Sequence, residues 1–151
     1  MKAVVQRVTE SNVSVDGKVV GSCENGYMIL LGVMKGDTEN EAELLARKIS
    51  ALRVFEDEIG KMNLSILDKG GSVLAISQFT LCADYKKGNR PSFTDSEEPV
   101  EAKRLYDYFC DELLKNGIKK VEKGIFGADM KVSLINDGPV TICYDTDVWK
   151  K

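Results

Sequence analysis

Tyr27-Met28-Ile29-Leu30-Leu31-Gly32-Val33 is a nearly continuous apolar run bounded by Gly26 and Gly36. A run this short, closed by glycine at each end, reads as a central strand covered on both faces. Upstream, Ala3-Val4-Val5-Gln6-Arg7-Val8 is β-branched, and Val13-Ser14-Val15-Asp16-Gly17-Lys18-Val19-Val20 sets Asp-Gly between two alternating runs, a hairpin signal. Downstream, Thr38 with Glu41 three residues later forms a capping box, since each side chain can satisfy a backbone N–H left free at a helix start. Ala42, Leu45, Ala46, Ile49 and Leu52 then follow helical spacing, so one helix face packs on the sheet. A second helix is expected from about 99 to 116, with Pro99 in its first turn, Gly117 at its end, and Ala102, Tyr106, Phe109 and Leu113 along one side. Residues 52–55, 72–81, 119–122, 130–135 and 139–144 read as further strands. The fold class is α/β: a mostly antiparallel or mixed sheet, curved and barrel-like because the strands are too many for a flat stack, with two main helices.

With 151 residues, 43% hydrophobic and 30% charged, the chain fits one domain spanning 1–151. The longest uncharged apolar run, 27–34, is too short to span a bilayer, and the first residues lack the apolar core of a signal peptide. A cytoplasmic protein without a membrane partner is expected. Cys23, Cys82, Cys110 and Cys143 lie far apart with no zinc-knuckle or redox spacing, and read as reduced, partly buried thiols. The chain has no histidine. That excludes serine–histidine and cysteine–histidine catalysis and histidine-ligated metals, leaving hydroxyls, backbone dipoles, carboxylates, lysines or the substrate itself for any hydrolysis. No metal and no cofactor are expected. The net charge of −3 argues against a broad basic face, and no DNA partner is expected. Local contacts remain open: Lys86, Lys87 and Arg90 share one glycine-containing loop, and Lys119, Lys120 and Lys123 form a second group. Each group could touch a few phosphates of an RNA end, or be a solvated loop.

Four segments carry candidate chemistry. Ser77-Gln78-Phe79-Thr80-Leu81 ends a strand with a hydroxyl, an amide and exposed backbone N–H groups in one place, a set able to position an ester and hold its oxyanion. Taken alone, it reads more simply as a strand end whose polar residues meet water. Asn136-Asp137-Gly138-Pro139-Val140-Thr141 is a turn entering a strand; Gly-Pro can hold a cis peptide that points neighbouring carbonyls the same way, towards an ammonium group, or can be an ordinary trans turn. Lys87-Gly88-Asn89-Arg90-Pro91-Ser92-Phe93 joins positive charge to a stiffened loop. Ile125-Phe126-Gly127-Ala128-Asp129-Met130 sets Phe126 and Met130 around a turn, as a purine sandwich or as core.

In order and spacing these segments, together with Met1-Lys2-Ala3-Val4-Val5-Gln6-Arg7-Val8, Leu30-Leu31-Gly32-Val33, Lys35-Gly36-Asp37-Thr38, Phe55-Glu56-Asp57 and Gly60-Lys61-Met62-Asn63, resemble the D-aminoacyl-tRNA deacylase family over essentially the whole chain. The pairing of SQFTL with NxGPVT is the specific signal. Lys2, where many members carry arginine, is a mild variation. The resemblance implies a homodimer in which Gly138-Pro139 of one subunit enters the site of the other, its carbonyls receiving the substrate's α-ammonium, with Arg7 anchoring the turn. Ser77, Gln78, Phe79 and Thr80 would line the scissile ester, and Phe126 and Met130 the pocket for the terminal adenosine of the aminoacyl-tRNA acceptor end. It further implies that the adenosine's vicinal 2′-hydroxyl assists the attack, which accounts for the missing histidine. Holding the ammonium, carbonyl and ester oxygen against backbone leaves the fourth substituent one direction: open space for a D side chain, the Gly-Pro turn for an L one. Glycine, with no β-carbon, should therefore also be accepted.

Two rival readings stand beside this one. The first is a small-molecule esterase with Thr80 as nucleophile, although no lysine, carboxylate or N-terminal threonine flanks Thr80 to activate it. The second is a non-catalytic RNA-end binding module built on the loop holding Lys86 to Arg90.

Overall fold

The computed structural model describes residues 1–150. Strand β1 (Lys2–Val15) turns through Asp16 and Gly17, at φ 51° and 80°, into β2 (Lys18–Cys23), and β3 (Gly26–Gly32) follows. Two positive φ values in a two-residue turn match the right-handed twist of the strands they join. Helix α1 (Glu39–Ala51) starts at the expected box: the Thr38 N–H donates to Glu41 Oε2 at 2.7 Å, and the Asn40 N–H donates to Thr38 Oγ1 at 3.2 Å. A small ribbon of β4 (Phe55–Glu56) and β5 (Met62–Leu64) leads to the single turn α2 (Ile66–Lys69). Then come β6 (Ser72–Ser77), a 3-10 turn (Phe79–Cys82), α3 (Pro99–Lys115), β7 (Val121–Lys123), β8 (Lys131–Asp145) and a final 3-10 turn (Thr146–Trp149).

β1 organises the sheet. Along one edge it pairs antiparallel with β3 (Lys2↔Gly32 to Val8↔Gly26) and then with β2 (Ser11↔Cys23 to Val15↔Lys18). Its other edge carries β8 almost end to end, from Lys2↔Asp145 to Ser14↔Lys131. β3 pairs parallel with β6, and β6 parallel with β7. The loop of strands nearly closes where β2 meets β7: a β-carbon on Gly21 would lie 2.4 Å from the Lys123 carbonyl oxygen, so only glycine lets these backbones approach. The sheet is thus mixed and barrel-like, with two main helices against it, as the sequence predicts.

The two-sided burial of residues 27–33 has a simple origin. Side chains alternate across a strand, so Tyr27, Ile29 and Leu31 face the helices and pack with Ala42, Leu45, Ile49, Leu105 and Phe109. Met28 faces inward with Val8, Val13, Cys23, Leu74 and Ile76, and Leu30 packs on that inner cluster. β6 divides the same way, Val73 and Ala75 outward, Leu74 and Ile76 inward. Ala102, Tyr106, Phe109 and Leu113 are buried on α3 as expected.

Several sequence boundaries need correction. The strand expected at 52–55 survives only as Phe55, paired with Leu64 in the separate ribbon, where the Asp57 carboxylate accepts from the Ile59 and Lys61 N–H groups and shapes a tight turn. The strand expected at 72–81 stops at Ser77, because its partner β3 ends at Gly32 and the chain coils into the 3-10 turn. The piece expected at 119–122 shifts to Val121–Lys123, paired with Val73–Ala75. The strands expected at 130–135 and 139–144 are one strand, β8, paired to β1 on both sides of a bulge. No helix among the described residues is long and apolar enough to cross a membrane.

Candidate active site

β3 and β6 run parallel and end together, and ligand clefts form outside the carboxyl ends of parallel strands. A cleft of about 700 Å³ opens there. Its floor is Leu31, Val33, Ile76 and Ser77; one wall is Gln78, Phe79, Phe93 and the segment to Pro99; the other is Phe126 to Met130. The Gln78 N–H continues the ladder to the Leu31 carbonyl at 2.8 Å, after which the chain turns, leaving the Phe79 and Thr80 N–H groups without an acceptor among the described residues. The Phe79 ring is 55% exposed and meets Phe93 edge-on, centroids 5.0 Å apart. Thr80 stands just outside the lining, its Oγ1 accepting from Gln78 Nε2 at 2.5 Å.

The opposite wall is apolar except for exposed Asp129, which is ion-paired with Lys131 at 3.0 Å. Phe126 is half-buried with its ring 6.3 Å from Tyr106, whose hydroxyl donates to the Ala75 carbonyl at 2.7 Å. Burial drives the Tyr106 phenol far above its ordinary pKa, so it is a fixed donor and packing surface, not a base. Met130 packs on the inner core, and together with Phe126 it gives this side of the cleft an aromatic and a thioether surface, a pairing suited to contact with a ring system. Glu97 and Glu98 line the rim but are engaged: Glu97 Oε1 accepts from the Glu98 N–H, and Glu98 Oε1 from the Glu101 N–H at the start of α3.

The Asn136–Thr141 turn lies elsewhere. Gln6 pairs with Thr141 and Val8 with Asn136, so Arg7 alone stands opposite four residues, Asp137 to Val140, which bulge out of the ladder. The Gly138-Pro139 peptide is cis. Gly138 has φ +135°, and a β-carbon there would lie 2.8 Å from Val140 Cγ2 and 3.2 Å from Arg7 Nη2, so the position admits only glycine. Two clasps hold the bulge. Asn136 Oδ1 accepts from the Val140 N–H at 2.9 Å, while its Nδ2 donates to Thr141 Oγ1 at 2.9 Å. Buried Arg7 donates through Nε to the Asp137 carbonyl at 3.0 Å and through Nη1 to the Val54 carbonyl at 2.6 Å.

Within one chain the turn and the cleft do not meet. Arg7 pairs with Tyr27 and Ala3 with Leu31, a separation of about 13 Å along the strands. The turn lies across β1 and β3 from Ser77, about three strand spacings or 14 Å. Of the residues singled out in the sequence, the structure therefore gathers Ser77, Gln78, Phe79, Phe126 and Met130 around one cleft, with Thr80 at its edge. Gly138 and Pro139, exposed and held from beneath by buried Arg7, form a second feature. The sequence reading missed the wall residues Thr94 and Ser96 to Pro99 and the clasp made by Asn136; Phe93, at the end of the basic segment it did single out, was the one available hint.

The family described as D-Tyr-tRNA(Tyr) deacylase matches residues 4–145. The chain belongs to that family. A D-aminoacyl-tRNA deacylase of Thermosipho melanesiensis is 54% identical over 146 residues, 97% of each chain, and one of Geobacter sulfurreducens is 56% identical over 97% of this chain and 95% of its own. A solved structure of a "c-Myc DNA Unwinding Element Binding Protein" is 44% identical and superposes with a TM-score of 0.91, covering 96% of this chain and 98% of that one. A probable eukaryotic D-amino acid tRNA deacylase, 16% identical, shares the fold at a TM-score of 0.82 over 95% of this chain and 97% of its own. Membership of the family bears out the reading of the chain as an enzyme of the D-aminoacyl-tRNA deacylase class.

Proposed function

We propose that the cleft hydrolyses the ester joining a D-amino acid, or glycine, to the terminal adenosine of tRNA, and that it does so in a homodimer whose Gly138-Pro139 turns complete each other's sites. The observation that carries the reading is the meeting, in one cleft, of the Ser77 to Thr80 strand end with the Phe126–Met130 surface. That surface takes the adenine ring. The scissile carbonyl sits against the Phe79 and Thr80 N–H groups, which have no acceptor among the described residues and would take up the negative charge that develops on its oxygen. Arg7, acting from beneath, is a positioning residue for the partner-facing turn, whose carbonyls receive the α-ammonium.

Three facts support a second copy. The turn is exposed and remote from its own cleft. β8 is a 15-residue strand paired on one side only among the described residues, and an edge that long invites another chain. Ile135 on that strand is 53% exposed. Closed two-fold pairing is the commonest arrangement that would satisfy all three. The Thr80 esterase reading has weaker support, since among the described residues the only side chain bonded to Thr80 Oγ1 is an amide donor, which cannot remove its proton.

The test compares three charged tRNAs in one assay. D-Ala-tRNA and Gly-tRNA should both be turned over while L-Ala-tRNA, one methyl larger than Gly-tRNA, is spared. A site selecting through contacts with the D side chain would leave glycine as slow as L-alanine. That outcome refutes steric exclusion, and failure on D-Ala-tRNA as well refutes the deacylase.

A further inference from the structure

The cleft is large enough for an aminoacyl-nucleoside, and a substrate tRNA must continue beyond it as an unpaired strand. The segment next to the cleft is a hairpin-like loop closed by reciprocal backbone bonds between Asp84 and Ser92, both 2.8 Å. Its stems are rooted in the cleft wall: the 3-10 turn carrying Phe79 leads into Asp84, and Ser92 is followed by Phe93. The Asp84 carboxylate accepts from the Lys86 N–H at 3.0 Å and shapes the loop from within. Beyond that stem every residue from Tyr85 to Pro91 is exposed.

Two properties set this loop apart. Lys86, Lys87 and Arg90 have no carboxylate partner among the described residues; other lysines and arginines share that, but nowhere else among them do three such cations fall within five residues. Three unpaired cations on six residues of a chain with net charge −3 are a local positive site on a negative molecule. Tyr85 beside them is 80% exposed and pairs with no other aromatic ring among the described residues. An exposed ring among unpaired cations is the pattern that holds single-stranded nucleic acid: the cations track phosphates, and the ring stacks on a base that duplex pairing would withhold.

We propose that Tyr85–Arg90 is the seat for the unpaired 3′ strand of the RNA just upstream of the terminal nucleoside, with Lys86, Lys87 and Arg90 on its phosphates and Tyr85 stacked on one of its bases. The proposal rests on the cleft being the seat of that terminal nucleoside. The loop reaches about 10 Å from the Asp84–Ser92 stem, the span of the nucleotides next to the last. It adds affinity for the strand without touching the reacting ester.

The experiment uses the intact protein, the triple variant K86A/K87A/R90A, Tyr85→Ala and Tyr85→Phe, on D-Tyr-tRNA and on the truncated substrate D-Tyr-adenosine. On D-Tyr-tRNA the triple variant should raise KM with little change in kcat, and Tyr85→Ala should raise it roughly tenfold while Tyr85→Phe restores it. On D-Tyr-adenosine all four proteins should be alike. Anisotropy with uncharged tRNA reads the loop independently of turnover. Three phosphate contacts on a single strand contribute a log–log salt slope of about 2, so raising salt from 50 to 200 mM should weaken the native protein about twentyfold more than the triple variant. An unchanged salt slope in the triple variant, or equal losses on tRNA and on D-Tyr-adenosine, would overturn the proposal. Absence of turnover with a preserved difference in salt slope would overturn the deacylase reading and leave the strand seat standing.

Discussion

Arg7 should hold the turn through two carbonyls and not through its carboxylate neighbour, and the two contributions can be separated. Its guanidinium is 6% exposed and donates to the Val54 carbonyl at 2.6 Å and to the Asp137 carbonyl at 3.0 Å. The Asp137 carboxylate lies 3.8 Å away on a side chain 52% exposed. Hydrogen bonds from a charged donor contribute about 1.5–3 kcal/mol each. Val54 is buried, so its carbonyl loses its partner outright when Arg7 is removed, whereas water can reach Asp137. Arg7→Ala should therefore cost about 4 kcal/mol, a large part of the 5–15 kcal/mol that holds a domain folded. Asp137→Ala should cost less than about 0.5 kcal/mol, since a loose, half-exposed ion pair contributes little. Arg7→Lys keeps the charge but lacks the fork that spans both carbonyls, so it should recover about half of the loss. Urea unfolding of the three variants at one fixed protein concentration measures this, because subunit association would otherwise move the midpoint. In the folded Arg7→Lys variant the ratio of L- to D-aminoacyl-tRNA hydrolysis should rise as the turn loosens. If Asp137→Ala proves as costly as Arg7→Ala, the ion pair holds the turn and the argument from the carbonyls fails.

Three shorter predictions follow from other parts of the molecule. Gly21→Ala places a β-carbon 2.4 Å from a backbone oxygen of β7 and should destabilise by about 2 kcal/mol, lowering Tm by roughly 4–8 °C; an unchanged midpoint would mean the sheet does not close there. Thr80→Ala should retain substantial turnover while a substrate ending in 2′-deoxyadenosine loses nearly all of it, and a trapped acyl-enzyme on Thr80 would reverse the assignment. Cys23, Cys82 and Cys110 are buried, with burial pushing all three thiols up, Cys110 to about 12, whereas Cys143 is exposed on β8. A thiol reagent at pH 8 should thus modify one cysteine per native chain and four after unfolding; three rapid reactions would contradict the burial, and none would mean that β8 is covered in solution.

Local signals in the sequence were sound where the structure obeys local rules. Thr38 and Glu41 start α1, Pro99 starts α3, and the Asp16-Gly17 turn joins β1 to β2, because caps and tight turns are decided within a few residues. Strand ends were misread where a partner decides them. Phe79 and Leu81 extend the alternation of β6, yet pairing stops when β3 does, and the chain becomes the 3-10 turn that builds the cleft wall. β8 was split in two because Asn136-Asp137-Gly138-Pro139 carries every mark of a turn; only Arg7, 130 positions away, shows that the ladder resumes beyond it. The cleft was legible in part. Ser77 to Thr80 and Phe126 to Met130 stand out as odd residues for their elements, but Phe93 and Glu97 look like ordinary loop until the Met34–Ser96 bridge brings that segment against the end of β3.

The groups around the cleft also bear on how the ester is cleaved. The chain has no histidine. Among the described residues, the one side-chain hydrogen bond of Thr80 Oγ1 is accepted from an amide donor, Gln78 Nε2. The Tyr106 hydroxyl is bonded to the Ala75 carbonyl, and burial raises both its pKa and that of Cys82 beneath the floor. Glu97 and Glu98 hold backbone N–H groups at the start of α3. Lys35 and Asp129 also line the cleft, Asp129 with both carboxylate oxygens accepting from Lys131 Nζ at 3.0 and 3.2 Å; beside them stands a set of donors, the Phe79 and Thr80 N–H groups and the Gln78 side-chain amide. Such a site can stabilise an oxyanion and hold a carbonyl in one orientation, which are the larger electrostatic and entropic contributions to acyl transfer. In the reaction proposed above the substrate brings a hydroxyl of its own, beside the ester on the same ribose, and this is the physical reason to test for catalysis in the RNA's 2′-oxygen and for selectivity in the protein's backbone.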